Sequence, residues 1–493
     1  MRGTLKWLGL GVVLVLAIIG IGVAWPAARA PLPDATRDRL IINARVVDVE
    51  RGVAGPLTSV LIRNGAVAAI GPIDTTNGLP VLDAGGGYLV PGFWDMHVHT
   101  FQVSPQLHLP LFVANGITGV RDMMDCPGAS DTLIACVADK RRWTREVEAG
   151  TLTAPRFVEV ASFYFERPDT LPYEVAPLAA AYKARGLDAL KVYNRLPRPA
   201  YLRLVQEAKR LEMRVVGHLP KAVTLDEAVA VGQVSFEHAR LFPQHCFASA
   251  AAWRRGELNG MAPTLLAELV VREHDPATCD RSFAAMRKAG AWFVPTHVTR
   301  EEDARASDSS FINDPRLAWL DPLSHWAYRD DLAATAASHP GKRGQLALRR
   351  YFEHGLKLTG KAYRAGLPVL VGTDSGVGGF RYHDEMALLV RAGLSPAEVL
   401  KAATIDAARY ALADARFGTI TLGKRADLVL LDANPLTDIG NTRRIRAVLV
   451  DGRLYDRKRL DAQLAFVRGQ ANAVSNWLKI LCGLAASSVK GDL

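Results

Sequence analysis

What the sequence lacks narrows it first. Five cysteines in 493 residues form no C-x-x-C pair, which excludes a zinc knuckle or a thioredoxin-like redox motif. Lysine and arginine outnumber the acids 60 to 50. No long basic run or basic motif interleaved with aromatics occurs, so no nucleic-acid partner is expected. The excess of +10 reads as scattered surface charge, or as attraction to an anionic membrane face or substrate. No repeat with a period of roughly 20–50 residues is present, which sets solenoids aside. Glycine (41) and proline (27) are near average, 49% of the chain is apolar and 22% charged. That excludes collagen-like, coiled-coil and disordered chains and leaves a globular protein with a large core.

One stretch lacks charge altogether. Arg2 and Lys6 precede 19 uncharged residues, Trp7 to Trp25, about the ~20 needed to span a bilayer. Positive charge before the stretch keeps the N-terminus inside and sends the body out. Residues 1–30 are therefore expected to be a signal peptide or a membrane anchor. Ala28-Arg29-Ala30 has the form of a cleavage site, but Pro31 follows it. The body is expected to be exported, either periplasmic or anchored and facing outward. In an oxidising compartment Cys126–Cys136 and Cys246–Cys279 are the expected disulfides, free buried thiols being the alternative.

The rest of the chain has two textures. Residues 38–90 alternate like paired strands, with Asn64-Gly65 as a tight turn. Residues 416–458 show the same β character (RADLVLL, IRAVLV). Together they are expected to form one small β-sandwich domain built from both termini. Between them, residues 91–415 alternate short apolar strands with helices in roughly eight steps, the count of a TIM barrel. The expected fold class is thus α/β, a distorted (β/α)8 barrel plus that small domain, with a helical tail over 459–493. Inserts between Phe242 and Ser338 are expected to shape a pocket.

Chemistry-bearing residues fall at strand ends. His97 and His99, in Asp95-Met96-His97-Val98-His99, point the same way if the segment is a strand, and imidazole is a common zinc ligand. Alone, such a pair is more often an accident of sequence. Lys191 lies inside the apolar run Leu187–Tyr193, where a charged amine is costly. A snorkelling lysine, a buried ion pair, or an amine that takes up carbon dioxide to become a carbamate would each account for it. His218 and His238 each end a β-like run. Asp374, in Val371-Gly372-Thr373-Asp374-Ser375-Gly376, is either a metal-binding acid or a helix N-cap. Tyr193 shares a face with Lys191, and His297 follows Val294-Pro295-Thr296; both are candidate substrate contacts. Tyr164 is expected in an aromatic wall, and Arg121-Asp122 as a structural ion pair.

The order of these signals resembles the amidohydrolase superfamily of metal-dependent hydrolases. The resemblance covers about Leu40 to Asp456. It includes VPGFWDMHVHT, GITGVRDM, GTDSG and ITLGKRADLVLLDANPL, and is similar to the imidazolonepropionase-like and prolidase-like dipeptidase branch. It implies two divalent metal ions, usually zinc. His97, His99 and Asp374 would hold one, His218 and His238 the other, and a carbamate on Lys191 with a hydroxide would bridge them. Asp374 would be the catalytic base, and the substrate a small-molecule amide (a dipeptide, N-acyl amino acid or cyclic amide). The chain departs from the dipeptidase branch after the lysine, where Tyr193-Asn194-Arg195-Leu196-Pro197 replaces a glycine-rich stretch, and in carrying Gly217-His218 for His-Ala-His. These departures bear on substrate. Alternatives are a lactone or phosphotriester hydrolase on the same site, and a non-catalytic membrane-tethered binding protein. A tether through the N-terminal segment and a homo-oligomer complete the expectations.

Overall fold

The structure is a computed structural model describing residues 14, 17, 20–74 and 78–487. The stretch from Trp7 to Trp25 lies largely outside the described residues. Among the described residues no helix is long and apolar enough to cross a membrane.

The strands in chain order are β1 (Arg39–Asp48), β2 (Val53–Arg63), β3 (Ala66–Gly71), β4 (Val81–Asp83), β5 (Tyr88–Pro91), β6 (Phe93–Val98), β7 (Ile117–Asp122), β8 (Arg156–Val160), β9 (Ala189–Val192), β10 (Arg214–Gly217), β11 (Ser235–Glu237), β12 (Trp292–Val294), β13 (Leu428–Leu431), β14 (Ile445–Val450) and β15 (Arg453–Asp456). The segments near the two termini join in one eight-stranded sheet ordered β15-β14-β13-β5-β1-β2-β3, with β4 against β1. The β2–β3 hairpin turns on Asn64 and Gly65, both at positive φ (50° and 72°). This is the backbone that an Asn-Gly pair adopts at least cost. The join between the termini is direct: β5 pairs antiparallel with β13 through Val90 and Val429.

The middle of the chain forms two parallel sheets, β6-β7-β8 and β9-β10-β11-β12, in a TIM-barrel-like α/β arrangement. Their strands are largely buried and mostly apolar, as expected where helices cover a parallel sheet. Bridges Ala161–Ala189 and Phe165–Val192 link the two sheets, and Phe293–Val369 links β12 to the run before Asp374. That run also bonds to β6: Met96 N–H donates to Val371 O at 2.9 Å, and Asp374 N–H to His97 O at 2.8 Å. A helix over Gly341–Arg364 precedes it. Helices Arg457–Ala471 and Val474–Ala486 close the described chain.

Cys126 is bonded to Cys136 and Cys246 to Cys279; Cys482 is free. The expected Arg121–Asp122 pair is corrected. Successive strand residues face opposite sides, so Arg121 reaches Glu237 at 2.8 Å while Asp122 pairs with Lys140 at 2.9 Å.

Candidate metal centre

His97 lies on β6, Lys191 on β9, His218 directly after β10 and His238 directly after β11. Counting from β6, and with the run ending at Asp374 as the eighth, these are positions one, four, five and six. Their side chains converge. His97 Nε2 is 3.4 Å from Lys191 Nζ and 3.6 Å from Asp374 Oδ1. His99 Nε2 is 3.0 Å from Asp374 Oδ1, and His238 Nδ1 is 3.7 Å from Asp374 Oδ2. The rings of His218 and His238 are 4.3 Å apart between centroids, and those of His97 and His238 5.1 Å.

Backbone devices aim these groups. Gly217 has φ +115°, and a Cβ there would meet Val192 O at 2.4 Å; only glycine lets the chain turn His218 inward so close to β9. Gly372 packs against β6, where a Cβ would lie 2.5 Å from Val294 and 2.9 Å from His97 N. His238 and Asp374 themselves sit at positive φ, 74° and 51°. Such strain in non-glycine residues concentrates at functional sites. Buried Asp95 staples the layer. Its Oδ1 accepts from the backbone N–H of His97 (3.1 Å) and Thr373 (3.0 Å), and its Oδ2 from the Thr373 hydroxyl (2.7 Å). Burial pushes this carboxyl up to about 7.

The protonation states suit cation binding. Burial pulls His97 down to about 4 and holds His218 and His238 well below the usual imidazole range. Burial lowers Lys191 to about 8. Burial opposes the Asp374 charge, but His97, His99 and His238 outweigh it and hold the carboxyl well below its ordinary value. His97, His218 and His238 are therefore neutral imidazoles near an ionised carboxylate, the states metal ions require. Several ring nitrogens fit that reading. Among the described residues His99 Nδ1, His218 Nδ1 and His238 Nε2 are buried without a hydrogen-bond partner, an arrangement that costs stability unless a ligand answers it. His97, His99 and Asp374 present ligand atoms all within 4.8 Å of one another.

Glu237 was not foreseen from the sequence. Its Oε2 accepts from His97 Nδ1 at 3.1 Å and from Arg121 at 2.8 Å, and its Oε1 from Ser235 at 2.6 Å. Burial opposes its charge, and Arg121 and His97 overcome that and keep it ionised. The bond fixes the His97 tautomer with Nε2 facing the cluster, as carboxylates behind metal-bound histidines do. The detectable sequence signal was its place beside His238 at a strand end.

The cluster lines a cavity of about 310 Å3 whose wall includes Phe101, Met124, Tyr164, Tyr193, Arg240 and Arg300. Tyr193 lies in this wall, its ring 3.9 Å from that of His218 and 5.1 Å from that of Tyr164. His297 is corrected. It is fully buried outside this wall, with Nε2 2.9 Å from the Thr359 hydroxyl; Thr296, at φ 45°, turns the chain so that His297 begins a helix directed into the packing. The insert contributes Arg300, and Trp253 and Arg254 to a neighbouring cavity.

Comparison with known proteins agrees with this architecture. A family model described as Amidohydrolase family matches residues 198–455, just over half of the chain. The chain is 25% identical over 440 residues to "Adenine deaminase 2" of Rhizobium etli, covering 87% of this chain but 59% of that protein's length. It is 26% identical over 417 residues to imidazolonepropionase of Cupriavidus pinatubonensis, covering 81% of this chain and 85% of that protein. Among solved structures it resembles a bottromycin amidohydrolase (TM-score 0.64, 24% identity, 93% of this chain and 94% of that one). It also resembles a Xaa-Pro dipeptidase with methionine bound in its active site (TM-score 0.61, 18% identity, 85% and 100%). These two likenesses establish a shared fold. With the matched family model and the strand-end order of the cluster, they lead to one conclusion: the chain belongs to the amidohydrolase family.

Proposed function

We propose that the protein is an exported metal-dependent hydrolase that cleaves a carbon–nitrogen amide bond in a small molecule. The observation that carries the reading is the convergence of His99, His218, His238, Lys191 and an ionised Asp374 on one cavity, with a fourth imidazole, His97, packed against them. Curated relatives named imidazolonepropionase and adenine deaminase support chemistry at C–N bonds. We also read the hydrogen bonds flanking Val369–Thr373 as the seam of a closed, distorted eight-stranded barrel, and the sheet joining the termini as a separate small domain. Two disulfides fit an oxidising compartment, which supports export.

His97, His99 and Asp374 would hold one divalent ion and His218 and His238 a second. Lys191, as a carbamate, would join them; burial favours its neutral amine, the form that takes up carbon dioxide, which supports this reading. When bound, such ions acidify a water and polarise the substrate carbonyl. Asp374 would take the proton from the attacking water and return it to the leaving nitrogen. Tyr193 would donate its hydroxyl to the substrate, a role its place in the cavity wall supports. Glu237 keeps His97 in the competent tautomer.

The test is elemental analysis of the purified full chain, with intact mass before and after mild acidification. Near two zinc-class ions per chain, and loss of a carbon-dioxide-sized mass from Lys191, are the expected results. One ion and no adduct would remove the bridge; no ion and no metal-stimulated amide hydrolysis would overturn the reading.

A further inference from the structure

A second cavity of about 540 Å3 shares His218 and Arg240 with the wall of the metal cavity. Its lining is unusually rich in cations. Arg195 and Arg255 are answered by Glu166 and Glu257. Lys221, Arg240 and Arg254 have no carboxylate within ion-pair distance among the described residues; Asp303 and Asp226 act on Arg240 and Arg254 only from further away. Lys221 Nζ donates to Asn259 Oδ1 at 2.7 Å and lies 5.0 Å from the ring centroid of Trp253. Glu237 is the one acid in that lining, and it is already engaged by Arg121 and His97.

Unanswered cations in a concave wall concentrate positive potential and draw in anions. A guanidinium offers a planar fork that matches a carboxylate with two hydrogen bonds. A neutral or cationic guest would leave these groups desolvated and unpaired, at a cost. Arg240 follows His238 by two residues and faces both cavities. An anion held there therefore lies between the metal cluster and the second cavity.

Resting on the hydrolase reading above, we propose that the second cavity seats an anionic part of the substrate. Arg240 holds a carboxylate beside the scissile amide, and Lys221 and Arg254 receive a second acidic group nearer the mouth of the cavity. The substrate class is then the N-acyl or peptidyl derivatives of acidic amino acids.

The test uses the full metal-loaded chain and two matched compounds, N-acetyl-L-glutamate and N-acetyl-L-glutamine amide, which differ only in charge. Glutarate serves as a probe that cannot be hydrolysed, its binding followed by calorimetry. The glutamate is expected to show a kcat/KM about tenfold or more above the neutral amide, since each charge-assisted pair is worth more than a neutral one. Arg240→Gln should erase that preference through KM, and Arg240→Lys should recover part of it. Glutarate should bind the parent chain and lose about tenfold in affinity in Arg240→Gln and in the Lys221→Gln/Arg254→Gln double variant. Equal use of the two compounds overturns the proposal. So does failure of glutarate to bind the parent, or unchanged affinity in Arg240→Gln, which would put its carboxylate on the metal. Absence of turnover, with glutarate binding lost in Arg240→Gln, would instead count against the hydrolase reading and leave the anion pocket standing.

Discussion

Glu237 Oε2 accepts a hydrogen bond from His97 Nδ1 at 3.1 Å, and both side chains are fully buried. The pair joins two strand ends that are 140 residues apart in the chain. Its consequence is directional: with Nδ1 committed to the carboxylate, only Nε2 of His97 remains for the cluster. Glu237→Gln keeps the shape and removes the charge that stabilises a metal-bound imidazole. The expected effect is about a 10- to 100-fold loss of metal affinity or activity, the range seen when such supporting groups are altered. Titration with a competing chelator measures it. Affinity within a factor of two of the parent would show that Glu237 serves Arg121 alone.

Asp374 tests the proton route. It touches His99 at 3.0 Å and is held ionised by its three histidine neighbours. Asp374→Asn should lower kcat by about 10²- to 10⁴-fold, the range for loss of a general acid–base group. Circular dichroism should be unchanged, and most of the metal retained. Substantial residual turnover would remove Asp374 from the proton-transfer role.

Lys140 and Asp122 form a buried ion pair at 2.9 Å with neither side chain exposed. Lys140 Nζ also donates to Met124 O at 2.6 Å, and Met124 is part of the cavity wall. Lys140→Met strands the Asp122 carboxylate in the interior. Breaking such a pair from one side costs about 3–5 kcal/mol, read as a shift in the denaturation midpoint. A loss below ~1 kcal/mol would mean that Asp122 is rescued by its other donors, Thr100 (2.5 Å) and the backbone of Met124.

Stability should also fall with rising pH. Burial pushes the Glu385 carboxyl up to about 8 from its ordinary 4.5, while its Oε2 accepts from Val298 N–H at 2.8 Å. Between those two values the folded chain holds a proton that the unfolded chain has released. The folded state therefore binds more protons, and raising the pH across this window destabilises it. Glu385→Gln mimics the protonated form and should flatten the slope between pH about 5 and 8. Denaturation midpoints of parent and variant at both ends of the window decide it; parallel slopes would show that Glu385 is ionised throughout.

Much of the cluster was legible in the sequence because strands write their geometry in short periods. His97 and His99 share a face at a spacing of two, Lys191 lies inside an apolar run, and His218, His238 and Asp374 each follow a short strand-like run. The glycines at 217 and 372 mark close backbone approaches in the same local code. His297 misled for a local reason too: it follows a strand, but the positive φ of Thr296 turns it away.

The sequence by itself determined the α/β alternation and the strand-end positions of the cluster; it offered the cysteine pairing by proximity, with free thiols as the alternative. Tertiary structure alone decided the partners: Glu237 behind His97, Arg121 with Glu237, Lys140 with Asp122, and Arg240 with no carboxylate within ion-pair distance among the described residues. The physical reason is range. Side-chain direction along a strand is set by neighbouring residues. Charge compensation in a low-dielectric interior is instead set by whichever group the fold brings within a few ångströms, however far away it stands in the chain.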